Sequence, residues 1–455
     1  MPVMRLPSWI RRTSPALLVG SLLVGSLLGV AGVVGISLGA GCGDDTRPPA
    51  PIPRDMEIVF DAGDLSDGGS PAEDGGDSDG GDGSTPEVDG GPGGCRVEGA
   101  PVKLAEDIVD RSVRLVDVAV SGSTFLVTWP DARGGVTDAF AYAWPSGAPA
   151  GTEVRLSDDF APTRDVRITA RSGGFTAAWI DTSAGSFELF TRALGPAGTA
   201  EGPARRITSN MLREDTPALA RLVDGSVLAA WVESDGLGGA PVVRTVPLDA
   251  TASPVGAPTT ISVPSRVPRD PVLGALGAGA ALAWSEDGNV YLQPLTAAGA
   301  VTRSVERINT EANASGAPSL ALGDTGGGVA FGVVVGGVRL EARMRTVART
   351  GVPDGAEDIL TRPPDPGGEP AIAPFATGYV AAYRISSGGT GNGTIRIAFA
   401  TALGSFAGGL EVAATGSTIG SSPRVAVAPD GRILIVWMET DSTTATFRAA
   451  RVVCG

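Results

Sequence analysis

From residue 95 onward one phrase returns along the chain, an apolar run that closes on an aromatic. The aromatics are Trp129, Trp179, Trp231, Trp284, Phe331, Tyr383 and Trp437, spaced 47 to 54 residues apart. In the seventh repeat Val425 and Val427 alternate with small residues, Asp430-Gly431 makes a turn, and Ile433 to Trp437 is almost wholly apolar. A further stretch of strand character runs from Thr446 to Val453. Period-two alternation marks a strand with one buried face, and an unbroken apolar run marks a strand buried on both. Short fourth strands recur at Val154-Arg155-Leu156, Arg206-Ile207-Thr208 and Arg307-Ile308-Asn309, and prolines at 217, 271, 318, 370 and 423 are expected to open first strands. Four short strands in a unit of this length make one propeller blade. The pattern therefore predicts an all-β fold, a single seven-bladed β-propeller over residues 95–455.

The seventh repeat has three strands and no fourth. At the other end of the domain, Val102-Lys103-Leu104-Ala105-Glu106-Asp107 matches Val154-Arg155-Leu156-Ser157-Asp158-Asp159 in character. The N-terminal segment is therefore expected to complete the last blade, which removes an open sheet edge and couples the termini. Cys95 and Cys454 flank the two strands that this closure makes neighbours. In an oxidising compartment they are expected to form a disulfide, the alternative being two free thiols.

Ahead of the repeats, Arg5, Arg11 and Arg12 precede an uncharged Leu/Val/Gly run from Pro15 to Gly41, the pattern of an export signal. Leu38-Gly39-Ala40-Gly41-Cys42 resembles the lipobox of bacterial lipoproteins. That resemblance implies that residues 1–41 are a lipoprotein signal peptide, that Cys42 carries lipid, and, with Gly43 rather than Asp after it, that the protein resides in the outer membrane. An uncleaved membrane-spanning anchor is the alternative, since the run is long enough to cross a bilayer. Residues 42–94, the lipidation site and an Asp/Gly/Pro-rich tract, carry a net charge of −12, with one short apolar segment from Met56 to Phe60. Such a segment repels itself and cannot bury enough surface to fold, so a disordered linker is expected. Asp77 to Asp82 imitates a calcium loop, but Gly81 takes a ligand position and no glutamate closes it.

Composition narrows the chemistry. The chain has 455 residues and a net charge of −15, of which the repeats carry only −6. Lys103 is the only lysine, the arginines are scattered, and histidine is absent, so nucleic acid is not an expected partner. Without histidine, Ser-His-Asp hydrolysis and histidine-ligated metals are excluded. No cofactor is expected, and a monomer is.

The candidate site residues are Asp131, Asp181, Glu233, Glu286 and Glu439, each two positions after a repeat aromatic, with Val333 and Ile385 in their place in repeats five and six. Second strands end on the face where propeller ligands gather, so these acids could face calcium or a polyol. Alternatively each caps its own turn, in the first repeat together with Arg133. Paired carboxylates could also run glycoside hydrolysis.

The phrase FLVTWPDARGGVTDA at residues 125–139 resembles the W-x-D-x-R-x-G repeat of exported propeller-like proteins of large-genome Gram-negative bacteria, with Trp129, Asp131, Arg133 and Gly135 in the motif positions. The second repeat keeps Trp179 and Asp181 and loses the arginine. The resemblance implies a fold and an address, not an activity. The expected function is an envelope-anchored binding or scaffolding module for a protein or glycan partner. The rival is a carbohydrate-active enzyme using two of the five acids.

Overall fold

The computed structural model describes residues 94–108, 116–133, 135–157, 161–235, 240–261, 268–337, 339–361, 367–386, 393–414, 418–419, 423–440 and 444–455. Residues 1–93, which hold the expected signal peptide, Cys42 and all but the last residue of the expected linker, lie outside them. The described residues contain no helix.

Seven antiparallel sheets follow one another along the chain, which is therefore a seven-bladed β-propeller. Blade 1 comprises Asp117–Ser121, Thr124–Asp131, Asp138–Pro145 and Thr152–Arg155. Blades 2 to 6 begin with Thr163–Arg171, Arg213–Arg221, Arg269–Leu276, Ala314–Gly323 and Gly368–Phe375, each followed by three more strands. Each first strand touches the first strand of the next blade, and that of blade 7, Arg424–Val427, touches that of blade 1. First strands are thus innermost, and the ring closes.

The hydrophobic core is divided in the same way. Seven clusters of buried residues each draw on two adjacent blades. Second strands supply both neighbours: in blade 7, Ile433, Ile435 and Trp437 pack towards blade 6, while Leu434, Val436 and Met438 pack towards blade 1. This two-sided burial is why these strands read as continuous apolar runs. Every repeat aromatic packs against the preceding blade and is at most 2% exposed.

Closure follows the expected route. Val102–Ile108 pairs antiparallel with the last strand, Thr444–Val453, with Val102 opposite Ala449 and Ile108 opposite Thr444. Arg96–Val97 adds a second short pairing to that strand, and Cys95 and Cys454 beside it are joined in a disulfide. Across the seam between blades 7 and 1, Ser146 donates its hydroxyl to Asp430 Oδ2 at 2.7 Å, and Arg451 stacks over Trp144 at 4.7 Å.

Four of the five prolines do not open strands. Pro217, Pro271, Pro318 and Pro370 lie inside first strands, each within an interruption of register: Asp215/Ala218, Arg269/Val272, Ser315/Ser319 and Gly368/Ala371. A proline has no N–H to give the ladder, and a bulge is where the ladder asks for none. Blade 2 has the same bulge, between Arg164 and Arg167, without a proline. Only Pro423 stands just ahead of its strand.

Candidate functional site

In an up-and-down blade, second strands end where first strands begin. The five acids therefore lie at the same end of the ring as the heads of the innermost strands. Four of them, Asp131, Asp181, Glu233 and Glu439, are buried, and each of the five is engaged within its own blade.

In blades 1, 4 and 7 the repeat Trp donates its indole N–H to the acid: Trp129 to Asp131 at 3.2 Å, Trp284 to Glu286 at 3.2 Å and Trp437 to Glu439 at 3.0 Å. Arginines complete the arrangement. Arg133 donates to Asp131 from its backbone at 2.9 Å and its Nε at 2.7 Å, then reaches Glu153. Arg244 Nε donates to Glu233 at 2.9 Å, and Arg448 Nε to Glu439 at 2.7 Å. Asp181 accepts from Thr163 Oγ1 at 3.1 Å and from the backbone N–H of Ser183 at 2.6 Å. Among the described residues no group of three or more Cys, Asp or Glu is arranged to hold a metal ion.

The residue opposite each repeat aromatic explains where the arginine comes from. In blades 3, 5, 6 and 7 it is an arginine, Arg244, Arg343, Arg396 or Arg448. In blades 1, 2 and 4 it is an aromatic, Phe140, Phe190 or Tyr291. In blade 1 the loop residue Arg133 compensates by lying over Phe140 at 4.5 Å. In blade 5, where Val333 replaces the acid, Glu341 stands across from it and binds Arg343 and Arg339. In blades 1, 3, 5 and 7 a carboxylate–guanidinium pair stands beside the buried aromatic, and the position supplying each partner varies.

A second set of charged residues, absent from the sequence expectation, occupies the heads of the innermost strands. Arg164 and Asp165 of blade 2 meet Arg213 and Asp215 of blade 3. Arg164 Nη2 lies 3.1 Å from Asp215 Oδ1, Arg213 Nε donates to Asp215 Oδ2 at 3.2 Å, and Arg164 Nε lies 3.7 Å from Asp165 Oδ2. Both guanidiniums lie over the ring of Phe187, at 4.0 and 5.1 Å. Burial pushes the Asp165 carboxyl up, Arg164 opposes this, and Asp215 and Asp270 of blade 4 add to it. The sequence signal was present in Arg164-Asp165, Arg213-Glu214-Asp215 and Arg269-Asp270, charged pairs repeating at blade spacing just before Val166, Thr216-Pro217 and Pro271.

Glu214 turns into the interface between blades 2 and 3. It is fully buried, accepts from Asn210 Nδ2 at 3.0 Å through Oε1, and its Oε2 has no hydrogen-bond partner. Burial, with Glu188 and Glu233 adding to it, pushes its carboxyl up to about 7. Glu188 behaves oppositely. Burial raises it, but hydrogen bonds from Ser186, Thr208 and Arg206 outweigh that and hold it below the usual range.

Two clefts open at the opposite end of the ring. One, of about 530 Å³, lies between blades 4 and 5 beside Leu276, Pro294 and Arg349. The other, of about 760 Å³, lies between blades 5 and 6 beside Gly327, Asp358 and Tyr379. None of the five candidate acids lines either cleft.

No protein-family model and no curated protein sequence matches the chain. Among solved structures, the chain is similar to the alpha-L-arabinanase of Penicillium chrysogenum, with 11% identity, a TM-score of 0.45, and coverage of 78% of this chain and 98% of that one. It is similar to the polysaccharide lyase Uly1 at 8% identity, with a TM-score of 0.45 and coverage of 78% and 100%. The alpha-L-arabinofuranosidase Arb93A of Fusarium graminearum gives 11% identity, a TM-score of 0.43, and coverage of 78% and 98%. Likeness at this level carries no chemistry over to this chain.

Proposed function

We propose that the chain is an exported lipoprotein, held in the outer membrane through lipid on Cys42, whose propeller serves as a binding or scaffolding module for a protein or glycan partner. The observation that carries this reading is the engagement of Asp131, Asp181, Glu233, Glu286 and Glu439 inside their own blades. A glycosidase needs two carboxyl groups facing one substrate across a shared gap. Here the acids hold Trp indoles, arginines and turn backbones. Burial pushes the Glu214 carboxyl up to about 7, but the residue is wholly enclosed, so no substrate atom reaches it. What the ring offers is a rigid face with varied loops, which suits recognition.

Two measurements test this. Mass spectrometry of the mature protein from membranes is expected to show diacylglycerol on Cys42, and a Cys42→Ser variant is expected to leave the membrane fraction. Incubation with a panel of polysaccharides is expected to release no new reducing ends. Hydrolysis that disappears in Glu233→Gln or Asp181→Asn would establish the enzyme reading instead.

A further inference from the structure

The heads of the innermost strands in blades 2, 3 and 4 share two features. Each has a bulge, and each bulge holds a non-glycine residue in the left-handed region: Asp165 at φ 53°, Thr216 at φ 44° and Asp270 at φ 48°. Side chains rarely adopt this conformation, and bulges re-aim the side chains they carry. The charged groups so placed belong to one locus. Arg164 spans the blade boundary to Asp215, Arg213 holds the same carboxylate, and Asp270 acts electrostatically on Asp165. The side chains of Arg164, Asp165, Arg213 and Asp215 are 19, 15, 34 and 32% exposed, so they are ordered by one another yet reachable from solvent.

We propose that this locus is a binding site for a neutral, hydroxyl-rich ligand, a stretch of glycan chain, with Arg164 and Arg213 as hydrogen-bond donors and Asp165 and Asp215 as acceptors. The proposal rests on the binding-module reading and gives it a place and a ligand class. Charge balance selects the ligand. The carboxylates oppose an anion, the guanidiniums oppose a cation, and a polyol uses both, since each hydroxyl donates once and accepts as well. Phe187 keeps both guanidiniums in position, which lowers the ordering cost of binding. Partial exposure leaves the carboxylates acceptor capacity beyond their contacts with arginine.

The test is titration calorimetry of the full mature chain against xylohexaose, mannohexaose, maltohexaose and cellohexaose, with hexagalacturonate and fully deacetylated chitohexaose as charged counterparts. At least one neutral hexasaccharide is expected to bind, and Asp215→Asn and Arg213→Gln are each expected to weaken it at least tenfold without lowering the melting temperature by more than a few degrees. Glu411→Gln, on the outer strand of blade 6, is expected to leave it unchanged. Binding that all three variants leave intact would overturn the site while sparing the module reading. Preference for hexagalacturonate or deacetylated chitohexaose would overturn the ligand class. Absence of any saccharide binding would overturn the proposal, and capture of a protein partner in the same preparation would then show that the module reading survives without it.

Discussion

Arg164 of blade 2 and Asp215 of blade 3 meet across a blade boundary, Nη2 to Oδ1 at 3.1 Å, although 50 residues of chain separate them. The same Arg164 also donates to the backbone carbonyl of Glu214 at 3.2 Å. Arg167, one bulge further on, donates to the carbonyl of Pro217 at 3.2 Å. Innermost strands are thus stitched to one another by side chain to backbone bonds at the bulges, where interrupted ladders leave carbonyls available.

Thr216 tests the bulge directly. It is β-branched and held at φ 44°, a conformation that glycine adopts freely. Thr216→Gly is expected to stabilise the fold by about 1 kcal/mol, measured by urea unfolding. A loss of stability would mean that contacts of the threonine side chain outweigh the backbone strain.

The indole–carboxylate pairs make unequal demands on their tryptophans. Trp437 donates to Glu439, whereas the indole N–H groups of Trp179 and Trp231 are buried without a partner. Trp437→Phe is expected to cost about 2–3 kcal/mol, from lost volume and a carboxylate deprived of a donor. Trp179→Phe loses volume but also removes an unsatisfied donor, and is expected to cost at least about 1 kcal/mol less. Equal costs in denaturant unfolding would remove the distinction between these blades.

Glu214 sets a pH dependence with a definite sign. Its folded-state pKa, about 7, lies above that of the unfolded chain, so the folded state holds the proton over the intervening range. Its contribution is therefore fully present below pH about 4.5, falls as pH rises, and is lost above about 7. The groups facing it are Asn210, Glu188 and Glu233, the two acids being paired to Arg206 and Arg244. Between pH 5 and pH 8 the wild type is expected to lose on the order of 2 kcal/mol relative to Glu214→Gln, which cannot ionise. Parallel stability curves for the two proteins would contradict this.

Closure depends on two N-terminal strands, Arg96–Val97 and Val102–Ile108, and one disulfide. The bridge from Cys95 to Cys454 spans 359 residues, and opening it is expected to cost roughly 5 kcal/mol by loop-closure entropy. The melting temperature of the oxidised protein should fall on addition of reductant, and that of Cys454→Ser should not respond. A chain beginning at Asp110 loses Val102–Ile108 and bares the edge of Thr444–Val453. It is expected to aggregate in size-exclusion chromatography. A soluble, equally stable monomer would show that this strand is dispensable.

Blade number, the order of strands and the closing segment were legible along the chain because they depend on local periodicity. Trp129 to Trp437 recur because every blade must fill the same wedge against its neighbour, and Val102 to Asp107 resembles a fourth strand because it acts as one. Cys95 and Cys454 could be paired because strand order alone makes them neighbours. The prolines misled for a local reason: Pro217 looks the same whether it opens a strand or sits at a bulge, and only the register of Asp215 and Ala218 against the second strand tells the two apart. The charged locus was not readable, although its residues repeat in plain view at Arg164-Asp165 and Arg269-Asp270. Which carboxylates converge depends on how adjacent blades rotate about the axis. That rotation brings Arg164 onto Asp215 and leaves Asp131, Asp181 and Glu439 each bound within its own blade.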